Sequence, residues 1–95
     1  MTSILNQLET LIAARRSHPK QGSYTNALID AGLPRMAQKV GEEAVEVVVA
    51  ALAQDKPRQV SESADLLYHL LVMWSELDVS LADVEAELAQ RHKPD

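Results

Sequence analysis

The chain predicts an all-α fold, on three observations. Only 3 glycines and 4 prolines interrupt a 95-residue sequence rich in good helix formers. Apolar residues recur at helical spacing along most of it. The hydrophobic fraction of 46% includes 1 Trp, 2 Tyr and no Phe, so the expected core is Leu, Val and Ala packed between helices. Residues 1–95 suit a single domain, which would bury a little over ~60% of its unfolded surface.

Each element has its own local signals. Ser3 suits an N-cap for a first helix over Ile4 to Arg16, with Ile4, Leu5, Leu8, Leu11 and Ile12 as one apolar stripe. Ser17 to Gly22 breaks the pattern as a loop. Ser23 caps a short helix from Tyr24 to Ala31, which Gly32 closes. Pro34 suits the first turn of a third helix reaching Ala53. Met36, Val40, Ala44, Val47 and Ala51 take one side of it, Val45, Val48, Val49 and Leu52 another, and Lys39, Glu42, Glu43 and Glu46 a charged strip.

Asp55 and Pro57 open a fourth helix reaching Leu77, nearly encircled by apolar residues except for a stripe of Glu62, Asp65 and His69. Ser80 and Asp83 begin a last helix to Gln90, and Arg91 to Asp95 reads as a frayed tail. The third and fourth helices are joined by a few residues around Gln54, so they pack as an antiparallel hairpin flanked by shorter helices. Each carries more apolar surface than one partner covers, so the fold is expected to assemble as a dimeric helix bundle or a larger helical oligomer.

Composition removes several classes of function. The chain has no cysteine, which excludes disulfides, thiolate catalysis and zinc–thiolate sites. No apolar run approaches a membrane span and no signal pattern opens the chain, so a cytoplasmic enzyme or binding protein is expected, without a membrane partner. The formal net charge of −5 argues against nucleic acid. Glu42, Glu43, Glu46, Glu62 and Asp65 equal that excess in number, which locates it in one candidate site.

Carboxylates on otherwise apolar helices are costly to bury unless a cation sits against them. Glu43 and Glu46 lie three apart and share a helical face, as do Glu62 and Asp65. The midpoints of the two pairs are equidistant from Gln54, so a symmetric hairpin sets them at one height. Four hard oxygen donors suit magnesium, or manganese, with a substrate polyphosphate as further ligand. Phosphoanhydride hydrolysis follows as the reaction class, with Glu42 as general base on the attacking water. Lys39, four residues before Glu43, forms either a surface ion pair or a clamp on a substrate phosphate. Arg15, Arg16, Lys20 and Arg35 are either further phosphate contacts or, as isolated basic residues usually are, plain surface charges. His69 reads as a hydrogen-bonded core histidine, and Tyr68 and Trp74 as core or interface residues.

Glu42-Glu43-x-x-Glu46 followed by Glu62-x-x-Asp65 resembles the motif of the all-α nucleoside-triphosphate pyrophosphatases, the MazG-like superfamily. Ser23-Tyr24-Thr25, the block from Gln38 to Glu46 and the block from Ala64 to Val72 are similar to the signature of its phosphoribosyl-ATP pyrophosphatase family, in the stand-alone form. The resemblance runs from the first helix to Arg91. It implies hydrolysis of phosphoribosyl-ATP between its α and β phosphates, the second step of histidine biosynthesis. It further implies magnesium ligation by Glu43, Glu46, Glu62 and Asp65. Glu42 and Lys39 would sit at the reacting phosphates, and Ser23, Tyr24 and Thr25 in the substrate pocket.

Three rival readings compete with this one. A house-cleaning nucleoside-triphosphate pyrophosphatase shares the acid motif. A di-iron carboxylate bundle wants histidine three residues after a glutamate, whereas Asp65 stands there and His69 comes later. A helical dimerisation module without chemistry leaves the acids unexplained.

Overall fold

The computed structural model describes residues 3–92, which contain five α-helices and no strand. They are α1 (Ile4–Ser17), α2 (Tyr24–Ala31), α3 (Leu33–Ala53), α4 (Lys56–Leu77) and α5 (Leu81–Arg91). The tail expected from Arg91 is shorter at its start, because Arg91 closes α5; residues 93–95 lie outside the described part.

Local chemistry accounts for the boundaries. The hydroxyls of Ser3, Ser23 and Ser80 and the carboxylate of Asp55 each accept from the backbone N–H three residues on, satisfying a donor that the first turn leaves unpaired. At α5 the exchange is mutual, since Asp83 also accepts from the Ser80 N–H at 3.0 Å. The Ser80 backbone N–H, and then its hydroxyl, hold the Asp83 carboxyl below its ordinary range. Gly32, at φ 90°, is the single residue between α2 and α3, a conformation that a side chain would strain. Asp78 closes α4 in the left-handed region at φ 56°.

The α3–α4 hairpin dominates the packing, and Gln54 and Asp55 make its turn. The Gln59 amide donates to the carbonyls of Ala50 and Gln54, at 3.2 and 2.9 Å, capping the end of α3 from the start of α4. The other three helices cover the opposite end of the hairpin. There Ile12, Leu28, Met36, Leu71, Val72 and Leu81 form the core, with Tyr68, Met73 and Trp74 packed against it. Long-range polar contacts tie the cover down. Glu9 accepts from the Leu81 N–H at 2.7 Å, and Arg16 pairs with Glu76 at 2.9 Å.

Near the turn the hairpin is bare. Of the two apolar faces expected on α3, that of Met36, Val40, Ala44, Val47 and Ala51 is buried or half-buried except at Ala51, which the overhang near the turn leaves exposed. The other, with Val45, Val48, Val49 and Leu52, is exposed, as are Val60 and Leu67 on α4. The radius of gyration is 14.8 Å, against about 12–13 Å for a compact domain of this length. The hairpin therefore overhangs its cover. No helix among the described residues is long and apolar enough to cross a membrane.

Position within this frame sets the expected response to mutation. Ile12 is 1% exposed and Leu88 51%. Ile12→Ala is expected to lower stability by about 2–5 kcal/mol. Leu88→Ala should change it by less than about 0.5 kcal/mol. Urea unfolding followed by circular dichroism checks both, and equal losses would contradict the placement of the core.

Candidate active site: a carboxylate cluster on the hairpin

Glu43 on α3 and Asp65 on α4 are equidistant from Gln54, and Glu62 lies one turn from Asp65 on the same face. The antiparallel hairpin brings one carboxylate oxygen of each to within 4.8 Å of the others. The trio differs in burial: Glu62 is 7% exposed, Glu43 is half-buried and Asp65 is exposed. Glu46, expected as a fourth member, is exposed and outside this cluster. It shares a hollow of about 520 Å³ on α3 with Lys39, Glu42 and Glu43.

Two cations offset the gathered charge. Lys39 Nζ lies 3.4 Å from Glu43, and Arg58 donates to Glu62 at 2.8 Å. Lys39 forms the expected ion pair and also lines the hollow. Arg35 is exposed, 3.8 Å from the exposed Glu42, so these two sit at the rim of the site. Among the described residues, no hydrogen bond or ion pair holds the Asp65 carboxylate.

The arrangement fits a hard divalent cation. An octahedral magnesium ion holds oxygens at about 2.0–2.1 Å, so opposed ligands stand roughly 4.2 Å apart. Oxygens already within 4.8 Å reach that spacing with small side-chain rotations. Gly41 lies in the same hollow, inside α3, where glycine costs about 1 kcal/mol relative to alanine. A Cβ there would meet nothing within 4 Å, so no packing in the protomer requires this glycine. It leaves α3's surface open beside the acids.

The Ser-Tyr-Thr segment lies next to this cluster. Ser23 is the α2 cap, whereas Tyr24 and Thr25 reach α4 one turn beyond Asp65. The Tyr24 hydroxyl is 2.9 Å from His69 Nε2, and Thr25 hydrogen-bonds the Tyr68 hydroxyl. Tyr24, Ser23 and Lys20 also line a cleft of about 720 Å³. His69 is buried and hydrogen-bonded, as its plain reading expected, while His18 and His92 are exposed. The sequence reading missed Asn26, which is buried and locks the loop before α2. Its amide donates to the Arg15 carbonyl at 2.8 Å and its oxygen accepts from the Lys20 N–H at 2.9 Å. It also missed Arg58, although the four-residue spacing to Glu62 was visible.

A family model for phosphoribosyl-ATP pyrophosphohydrolase matches residues 5–92, which include every residue of the cluster. The chain belongs to that family. It is 53% identical over 91 residues to a phosphoribosyl-ATP pyrophosphatase of Rhizorhabdus wittichii, covering 96% of this chain and 86% of that one. It is 50% identical over 93 residues to one of Metallosphaera sedula, covering 98% and 100%. A bifunctional histidine-biosynthesis protein of Vibrio parahaemolyticus is 52% identical over 89 residues, and there the chain spans 42% of the relative's length.

Within this phosphoribosyl-ATP pyrophosphohydrolase family member, Arg58 balances a nearly buried charge. Arg58→Ala leaves Glu62 without its cation, and because Arg58 is 57% exposed the expected loss is modest, about 1 kcal/mol in chelator. Added magnesium should restore the melting temperature if Glu62 turns to the ion. Thermal melts with and without metal test this, and a variant as stable as native in chelator would refute the pairing.

Proposed function

We propose that this chain hydrolyses phosphoribosyl-ATP to phosphoribosyl-AMP and pyrophosphate, the second step of histidine biosynthesis, in the cytoplasm. The supporting observation is the convergence of Glu43, Glu62 and Asp65 within 4.8 Å, on facing helices inside the family-matched region. These three would hold a magnesium or manganese ion, with Glu46, which shares a helical face with Glu43, as the fourth donor. When bound, the ion polarises a phosphoryl oxygen and offsets polyphosphate charge.

The chain's own groups account for the remaining tasks. Lys39 and Arg35 flank the hollow with positive charge and hold the phosphates. The exposed Glu42 carboxylate accepts a proton from water as its oxygen attacks and the α–β phosphoanhydride bond breaks. The products are phosphoribosyl-AMP and pyrophosphate: the oxygen from water stays on the phosphorus attacked, and the other fragment leaves with the bridging oxygen. The open surface at Gly41 lets the polyphosphate approach α3 closely. Ser23 and Tyr24, which line the cleft at the start of α2, would serve the substrate from that side together with the buried Thr25.

Pyrophosphate release from phosphoribosyl-ATP with magnesium tests the reaction. Glu43→Gln and Asp65→Asn should each lower turnover by on the order of 100-fold while circular dichroism stays native. Glu46→Gln tests the fourth donor in the same assay. A native chain that cleaves ordinary nucleoside triphosphates and leaves phosphoribosyl-ATP intact would replace this reading with the house-cleaning one.

A homodimer completes the proposal. Val45, Val48 and Leu52 on α3, with Val60 and Leu67 on α4, are 44–84% exposed and form a face that a second copy would cover. Native protein should sediment at twice 10.4 kDa, and Val48→Asp as a monomer. A monomeric native chain would remove this part.

A further inference from the structure

His69 is 7% exposed and uses both ring nitrogens. Nδ1 lies 2.7 Å from the Asp65 backbone carbonyl. A carbonyl can only accept, so this nitrogen carries a proton. In the neutral ring Nε2 is then the acceptor, and the Tyr24 hydroxyl, 2.9 Å away, donates to it. Two groups from different helices thus select one tautomer and one ring orientation.

The neighbouring side chains reinforce the link. The Tyr24 and Tyr68 rings stack at 27° with centroids 6.2 Å apart, and His69 stands edge-on to both. Thr25 bonds the Tyr68 hydroxyl beside them. The first turn of α2 is therefore fastened to α4 at two adjacent residues, one turn after Asp65. This matters because Asp65 is the least anchored of the three clustered acids. Lys39 sits against Glu43 and Arg58 against Glu62, whereas the position of Asp65 depends on its backbone turn. That turn, from Asp65 to His69, is the one that Tyr24 ties to α2.

We propose that Tyr24 and His69 are positioning residues for the divalent cation: the Tyr24–His69–Asp65 chain of hydrogen bonds holds α4 so that the Asp65 carboxylate meets those of Glu43 and Glu62. This assignment rests on the reading of those acids as the metal site. It gives Tyr24 a task that a substrate-pocket residue would not have, namely control of metal affinity in the absence of substrate.

Manganese serves as the probe, titrated calorimetrically into the metal-free chain without nucleotide. Tyr24→Phe retains the ring and removes only the hydroxyl. It should keep native circular dichroism and weaken manganese binding about 10-fold, at the low end for groups that orient metal ligands. His69→Asn, whose amide can still donate from near the Nδ1 position, should weaken it similarly, and the double variant should add little further. Native binding by Tyr24→Phe, with Asp65→Asn deficient, overturns the positioning role and leaves the metal site standing. Native binding by Asp65→Asn removes the metal-site reading itself. ¹⁵N chemical shifts of His69 in the native chain need no variant, and a proton found on Nε2 instead of Nδ1 would equally overturn the proposal.

Discussion

A turn of two residues, Gln54 and Asp55, sets the register of α3 against α4, and the site depends on that register. In an antiparallel hairpin the height of a residue is its distance from the turn, so Glu43 and Asp65 meet because the turn lies midway between them. Asp55 holds the turn from one side by capping α4, and Gln59 from the other by bonding carbonyls at the end of α3. One inserted residue would advance a helix by 1.5 Å and rotate it by about 100°. That is enough to carry an acid off the shared face, so the turn is as much a part of the site as the carboxylates.

Three carboxylates within 4.8 Å repel one another, and Glu62 adds the cost of burial. The fold answers with cations drawn from the acids' own helices, each four residues earlier: Lys39 for Glu43 and Arg58 for Glu62. The pairing is local and needs no rearrangement of the helices. It also leaves Asp65 dependent on its surroundings, which gives the aromatic and hydroxyl contacts between α2 and α4 their importance.

The core and the carboxylate cluster occupy different stretches of the hairpin. At the open end, α1, α2 and α5 enclose Ile12, Met36 and Val72, each almost fully buried. At the turn end, aliphatic side chains face outwards, Leu52 at 84% exposure. The acids lie between these regions. A site in that position can draw rigidity from the core and still border the exposed aliphatic surface of the turn end.

Much of this was legible in the sequence because the relevant interactions are local. A capping hydroxyl three residues before its N–H, a proline in a first turn and a glycine between two helices act over a few residues whatever the rest of the chain does. The height of the acid pairs could be read for the same reason, since a short turn converts sequence distance into position. Side-chain direction could not be read this way. The sequence treats Glu43 and Glu46 alike, yet packing turns one towards α4 and leaves the other exposed. The bond from Tyr24 to His69 spans 45 residues, and that from Asn26 to Arg15 joins two helices. Neither has a signature in spacing, because each exists only once α2 has docked at a particular angle. The sequence by itself determined the helices, their register and the donor chemistry. Tertiary structure decided which donors converge and what holds them, since those outcomes depend on how helices distant in the chain pack against one another.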